Sequence, residues 1–78
     1  LQRLQEYLVK RVQLSPSEHF VLRTSRQQIA DDIGTSVKTV NRGVSKLRDA
    51  GLITLLHGKI SISVEQQKKL RELKLEDD

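Results

Sequence analysis

The hydrophobic positions at the start of the chain recur with the spacing of an amphipathic helix. Four apolar side chains lie three or four positions apart: Leu1, Leu4, Leu8 and Val12. This spacing predicts a leading helix over residues 1–13. The proline and serines of the segment 14–18 predict a turn after it. The next segment, HFVLR at 19–23, is typical of a short strand.

Capping patterns predict where two of the later helices begin. Thr24 can accept a hydrogen bond from the amide at position 27, and the Gln27 side chain can return one to the backbone of Thr24. The helix that starts there ends at Gly34, which fits the left-handed position after a helix. A second capping box, Ser63 with Gln66, predicts the start of the last helix.

A third helix is predicted directly after Gly34, with Ser36 or Thr35 as its N-cap. It runs to residue 49 or 50, and Gly51 ends it. Its apolar side chains form one narrow stripe when they are placed at roughly 100° per residue. They are Val40, Val44 and Leu47.

The last third of the chain predicts a hairpin over residues 52–64 and a final helix over residues 65–75. His57 and Gly58 have the composition of a two-residue turn, because glycine adopts a positive φ without strain. Apolar residues and serines then alternate, as they do in a strand with one buried face.

The order of these elements is helix, short strand, helix, tight turn, helix, hairpin, helix. This is the arrangement of a winged helix-turn-helix. The sequence therefore predicts one domain over residues 1–78 that is mainly α-helical with a small β-hairpin. It has a three-helix core, a wing of two to four strands and an extra C-terminal helix. The helix-turn-helix itself spans residues 24–50.

Composition excludes several other classes of function. The chain has no cysteine and two histidines, so we expect neither a thiolate metal site nor a histidine-based metal or catalytic cluster. With one Tyr, one Phe and no Trp, it offers little for stacking on single-stranded nucleic acid. No nucleophile–base pair, paired carboxylates or glycine-rich phosphate loop indicates an enzyme. No apolar run approaches the roughly 18 residues of a membrane span.

The positive charge is concentrated in the middle of the chain. The net charge is +4, and residues 35–64 carry five Lys or Arg against a single acid, Asp49. The five basic residues are Lys38, Arg42, Lys46, Arg48 and Lys59. A basic surface of this kind suits a polyanion, although proteins without such a partner also carry modest positive charge.

The outer face of the third helix carries side chains that can distinguish base pairs. In a helix-turn-helix, the N-terminal turns of this face enter the major groove. Arg42 can pair with the O6 and N7 atoms of guanine, and Asn41 with adenine. Val37 can contact a thymine methyl group, and Lys38 can contact a guanine or a phosphate. The sequence therefore predicts that Val37, Lys38, Asn41 and Arg42 contact bases.

Contacts with backbone phosphates are predicted around the same face and at the hairpin tip. The residues are Ser36, Thr39, Ser45, Lys46, His57 and Lys59. Hydroxyl groups, free amides at a helix start and cationic side chains all suit phosphate oxygens. Taken singly, Lys38 and Arg42 are also ordinary solvated charges, and His57 is also an ordinary turn residue. The joint pattern favours a DNA-binding face.

One segment resembles a known family. TSRQQIADDIGTSVKTVNRGVSKLRDAGLI is similar to the DNA-binding domain of the Crp/Fnr family of bacterial transcription regulators. The family pattern runs Thr-Arg-Gln-Glu-Ile-Ala, then a Gly before a small residue and Ser, then Glu-Thr-Val-Ser-Arg, and ends Gly-Leu-Ile. The resemblance covers about residues 20–62, and HGKI resembles the wing of the cyclic-AMP receptor branch. It implies the same roles for the residues named above and adds Arg26 as a phosphate contact.

The resemblance also implies properties of a longer protein. Because the chain begins at Leu1 and lacks methionine, we expect it to be part of one. The family's effector domain and dimer helix would precede Leu1, so we expect a cytoplasmic homodimer that binds double-stranded DNA and contacts RNA polymerase. We expect no cofactor in this domain, since any effector would bind the preceding domain, and no membrane association.

Three residues depart from the family pattern. Lys38 stands where the family usually has Glu, and Asn41 replaces a Ser or Gly, so the operator sequence does not carry over. Gly43 stands where the family has an apolar residue inside the helix. A glycine there destabilises the helix by about 1 kcal/mol relative to alanine. We therefore expect another helix to approach closely at Gly43. Two alternative functions stay open: a winged helix for protein–protein contact, and the DNA-binding domain of another winged-helix family such as the GntR type.

Overall fold

The computed structural model describes residues 1–73 and contains four helices and three strands within them. In chain order these are α1 (Gln2–Leu14), β1 (His19–Leu22), α2 (Arg26–Ile33), α3 (Val37–Asp49), β2 (Thr54–Leu56), β3 (Lys59–Ser63) and α4 (Val64–Glu72). The order is the one that the sequence predicts, and the fold is a winged helix-turn-helix. Residues 74 and 75 of the predicted last helix lie outside the described residues.

The three strands form one antiparallel sheet in the order β1-β3-β2. Phe20 lies opposite Ile62, and Leu22 opposite Ile60, so the apolar side chains of β1 and β3 share one face. All four are buried in the core. The predicted wing therefore has three strands, and β1 attaches the β2–β3 hairpin to the helical body.

The helices cover the apolar face of the sheet. Buried side chains come from every helix: Leu4, Leu8 and Val12 of α1, Ile29 and Ala30 of α2, Val40, Val44 and Leu47 of α3, and Leu70 of α4. The stripe predicted for the third helix is therefore the one that packs. Burying side chains of this size stabilises a fold by about 1.5–3 kcal/mol each.

The turns on both sides of α3 follow the sequence prediction. Gly34 has a φ of 73° and ends α2, and the amide of Thr35 donates to the carbonyl oxygen of Ala30 at 2.9 Å. In the hairpin, His57 and Gly58 have φ values of 50° and 78°. Positive φ at both central residues is what a type I′ hairpin turn requires.

The N-cap predicted for the second helix is wrong by one residue. Ser25, not Thr24, is the cap: its backbone is extended, and its Oγ accepts from the amide of Gln28 at 3.1 Å. The Gln27 side chain instead donates to Asp31 at 3.0 Å. Thr24 and Ser25 are both capping residues, and each is followed three positions later by a glutamine. The local pattern therefore could not separate the two starts.

The capping box predicted for the last helix is confirmed. The backbone amide of Gln66 donates to Ser63 Oγ at 3.2 Å, and the backbone amide of Ser63 donates to the side-chain oxygen Oε1 of Gln66 at 3.0 Å. The helix is then joined to α1 by a buried hydrogen bond of 2.7 Å from Gln5 Nε2 to the carbonyl oxygen of Leu70. These bonds fix α4 against both the sheet and the leading helix.

Candidate nucleic-acid interface

The outward face of α3 is polar along its whole length. Lys38, Asn41, Arg42 and Lys46 are exposed, whereas Val40 on the opposite side is completely buried. Together with Val37 and the half-buried Ser45, these four polar residues line one open groove on the surface. The structure thus places the four predicted base-contacting residues, and two of the predicted phosphate-contacting ones, on a single face.

The start of α3 is ordered by two adjacent hydroxyl groups. Ser36 Oγ accepts from the amide of Thr39 at 3.1 Å and donates to Thr39 Oγ1 at 3.0 Å. The first helical hydrogen bond runs from the amide of Val40 to the carbonyl oxygen of Ser36 at 3.0 Å. The amides of Val37 and Lys38 precede it, so this end of the helix presents donors to an anion.

The hairpin tip lies beside the helix-turn-helix. His57, Gly58 and Lys59 are exposed, and the carbonyl oxygen of Gly58 accepts a hydrogen bond of 3.2 Å from Arg26 Nη2. A small cavity, which we call the notch, separates the tip from the helices. It is lined by Leu22, Arg23, Thr24, Ser25, Arg26, Asn41, Gly58 and Lys59. Asn41 lines both the notch and the groove on α3, so the two surfaces are continuous.

Arg23 is a candidate that sequence analysis missed. It is exposed, follows directly after β1 and lines the notch together with Arg26 and Lys59. Its charge belongs to the first third of the chain, where acids nearly balance bases, so the distribution of charge along the sequence hides it. The pairing of β1 with β3 brings it to the side that carries the hairpin tip.

The basic side chains of this surface are not neutralised by neighbours. Within residues 1–73, the described ion pair joins Arg48 to Asp49 at 3.3 Å, at the far end of α3. Lys38, Arg42 and Lys46 form no ion pair there, and neither does Lys59. Their charges are therefore available to an external anion.

The two acids of α2 line neither the groove nor the notch. Asp31 accepts from Gln27, and Asp32 accepts from Gln28 at 2.8 Å and from the hydroxyl of Tyr7 at 3.0 Å. The Asp32 carboxylate is thereby bonded to α1, whereas that of Asp31 is bonded within α2. The described residues also contain no cluster of three histidine, aspartate or glutamate side chains that could hold a metal ion. None of the helices within residues 1–73 is long and apolar enough to cross a membrane.

The fold and its basic face define a winged helix-turn-helix DNA-binding domain. The chain belongs to the Crp-like helix-turn-helix domain family, which residues 2–73 match. This confirms the resemblance that the sequence motifs carry, and the alternative of a different winged-helix family is wrong. The family is one of DNA-binding domains of transcription regulators and not a class of enzymes.

One curated relative is the nitrogen fixation regulation protein FixK of Bradyrhizobium diazoefficiens. It is 44% identical to this chain over 46 residues. The match covers 59% of this chain and 19% of the relative, so the chain spans about a fifth of that protein's length. The similarity is that of one domain to part of a larger regulator.

Proposed function

We propose that this domain binds double-stranded DNA sequence-specifically, with the N-terminal turns of α3 in the major groove. The observation that carries the proposal is the groove on α3, where Lys38, Asn41 and Arg42 lie exposed and side by side. A helix is the element that the major groove of B-DNA admits. The basic side chains around the groove supply the attraction to the phosphate backbone.

Four residues take the role of distinguishing bases. Arg42 donates two hydrogen bonds to the O6 and N7 atoms of a guanine, and Asn41 pairs with an adenine. Val37 packs on a thymine methyl group, and Lys38 donates to a guanine or a phosphate. With Lys38 at a position where the family usually has an acceptor, the preferred operator differs from that of the typical family member.

The backbone contacts surround these four residues. They come from Arg26, Ser36, Thr39, Ser45, Lys46, His57 and Lys59. The Ser36 hydroxyl already bonds to Thr39, so the phosphate at the start of α3 is held mainly by the amides of Val37 and Lys38. The hairpin tip supplies the flanking contacts.

The proposal extends to the longer protein. A second copy would supply the second half-site, and a single domain binds weakly because it lacks the effective concentration that dimerisation provides. We propose that dimerisation and any effector belong to a preceding region, so that this domain needs no cofactor. The regulator would act in the bacterial cytoplasm and contact RNA polymerase. The name of the relative places that protein in the regulation of nitrogen fixation.

An amide-resolved NMR titration of the 78-residue chain with a mixed-sequence duplex at low salt tests the proposal. We expect shifts that cluster at Ser36–Arg42 and His57–Lys59 and that fade as salt rises, because phosphate contacts release counterions. Shifts confined to other surfaces, or none, would contradict it. The face of α3 would then be a solvated surface, and the winged helix for protein–protein contact would become the better hypothesis.

A further inference from the structure

Besides the pairing of β3 with β1, side-chain hydrogen bonds hold the hairpin to the rest of the domain at its base and at its tip. At its base, Gln66 Nε2 donates to Thr54 Oγ1 and to the carbonyl oxygen of Gly51, both at 3.1 Å. At its tip, Arg26 Nη2 donates to the carbonyl oxygen of Gly58 at 3.2 Å. Within residues 1–73, this is the one side-chain hydrogen bond described for the turn that joins β2 and β3.

The hairpin has little else to fix its tip. β2 has three residues and lies at the edge of the sheet, so it pairs with β3 alone. Leu56, the last residue of β2, is 51% exposed and does not anchor the tip in the core. The pairing of β1 with β3 ends at Ile60, so beyond it Leu56 and Lys59 pair only with each other.

Arg26 is well placed to fix the hairpin tip relative to α3. It is the first residue of α2, whose start is held by the Ser25 cap. Ile29 and Ala30 then pack α2 into the core beside α3. The hydrogen bond from Arg26 therefore connects the hairpin tip to the helix that packs beside α3, across the notch that Asn41 also lines.

We propose that Arg26 is a positioning residue, which acts on DNA binding by holding the hairpin tip where Lys59 reaches the phosphate backbone. The inference rests on the proposed DNA binding. The side chain has five N–H donors in a planar fork, and one of them is committed to Gly58. Its other donors remain available to a phosphate, so the experiment must separate the positioning role from a direct contact.

The order of the tip in the free protein is the first measurement. In Arg26→Ala, we expect the backbone ¹⁵N order parameters of Gly58 and Lys59 to fall from about 0.85 toward about 0.6. Arg23→Ala is the matched control, because Arg23 lines the same notch but has no described hydrogen bond to the hairpin. This variant should leave the order of the tip unchanged.

The second measurement is a double-mutant cycle on DNA affinity with Arg26→Ala and Lys59→Ala. If Arg26 positions Lys59, each single change removes much of the same interaction, and the combined loss falls short of the product of the single losses by more than about twofold. For Arg23→Ala combined with Lys59→Ala, the loss of affinity should equal the product of the two single losses to within about twofold, as it does for independent contacts.

The proposal requires both results. An ordered tip in Arg26→Ala would contradict it, and so would losses that multiply, because Arg26 would then be an independent phosphate contact. Arg26→Lys keeps the charge without the planar fork. Full affinity in this variant with a disordered tip would also overturn the proposal. The order parameters are measured without DNA, so failure of the proposed DNA binding and failure of the positioning role give different results.

Discussion

A Cδ atom of Leu4 lies 2.8 Å from the point that a β-carbon on Gly43 would occupy. Leu4 of α1 therefore packs directly on the backbone of α3, near the middle of that helix. Leu1 contributes a second contact at 3.4 Å from the same point. This close approach explains why α3 contains a glycine that lowers its helix propensity by about 1 kcal/mol relative to alanine.

We expect Gly43→Ala to destabilise the domain even though alanine favours helices. Leu4 is 3% exposed, and one of its Cδ atoms must shift to admit the new methyl group. Overpacking of this kind costs about 1–3 kcal/mol, which offsets a gain of about 1 kcal/mol from propensity. Urea denaturation of both proteins measures the difference.

The control for this prediction is the same change in a Leu4→Val background. Valine lacks the Cδ atoms that meet the new methyl group, so Gly43→Ala should there become neutral or stabilising by up to about 1 kcal/mol. If Gly43→Ala stabilises the wild-type domain as well, the close approach of α1 does not constrain this position.

Arg42→Ala should lose specificity as well as affinity. A bidentate contact with guanine is worth about 1–3 kcal/mol of discrimination, so the loss should be largest on the preferred site. Competition binding to duplexes that vary one base pair measures this. Arg48→Ala is the control on the same helix, because Arg48 is paired with Asp49 away from the groove. Equal losses on all sequences would make Arg42 a phosphate contact.

Lys59→Ala should weaken binding uniformly and flatten its salt dependence. The logarithm of the binding constant falls linearly with the logarithm of the salt concentration, and removing one phosphate contact reduces the magnitude of that slope by about 0.9. Lys10→Ala provides the comparison, because Lys10 is exposed on α1 and lines neither the groove nor the notch. An unchanged slope in Lys59→Ala would remove the hairpin tip from the interface.

Two substitutions at Ser36 should separate stability from binding. Ser36→Ala removes the acceptor of the Thr39 amide and should destabilise the domain by about 1 kcal/mol. Ser36→Asp keeps a capping oxygen, so the stability should be retained. Its negative charge lies where a phosphate is proposed, so DNA affinity should fall. Wild-type affinity in Ser36→Asp would contradict a phosphate at the start of α3.

Tyr7 gives the domain a pH dependence at the alkaline end. Burial raises the pKa of Tyr7 above its usual value of 10.0, and the hydrogen bond to Asp32 adds to the effect. The folded state favours the neutral hydroxyl. Its contribution to the free energy of unfolding is therefore fully present below pH 10 and is lost as the pH rises through the pKa of Tyr7 in the folded state. The stability difference between wild type and Tyr7→Phe should therefore be constant at neutral pH and shrink above pH 10. A constant difference across the alkaline range would show that the phenol makes no such contribution.

Local patterns predicted the parts of the fold that depend on neighbours in sequence. The His57–Gly58 turn, the Ser63 capping box and the apolar stripe of α3 each depend on residues within one or two turns. The close approach at Gly43 was also predictable, because a glycine inside a helix needs a reason. The start of α2 was not, because Thr24 and Ser25 offer equivalent caps.

The parts of the site that were missed depend on contacts between distant segments. The hydrogen bond from Arg26 to Gly58 joins residues 32 positions apart. Arg23 reaches the notch only because β1 pairs with β3, and nothing in its own surroundings along the chain indicates this. Sequence patterns identified the face of α3, whereas the notch beside it exists only in the folded domain.

The side-chain amide of Gln66 is held in one orientation by three hydrogen bonds. Its oxygen accepts from the amide of Ser63, and its nitrogen donates to the carbonyl oxygen of Gly51 and to Thr54 Oγ1. A reversed orientation would place donor against donor at Ser63 and acceptor against acceptor at Gly51. One side chain thereby joins the segment after α3, the first strand of the hairpin and the start of α4. A rigid swing of the hairpin from its base would break these hydrogen bonds and the pairing of β3 with β1. The hairpin and α4 therefore keep a fixed angle, and DNA of a different groove width would meet the same arrangement.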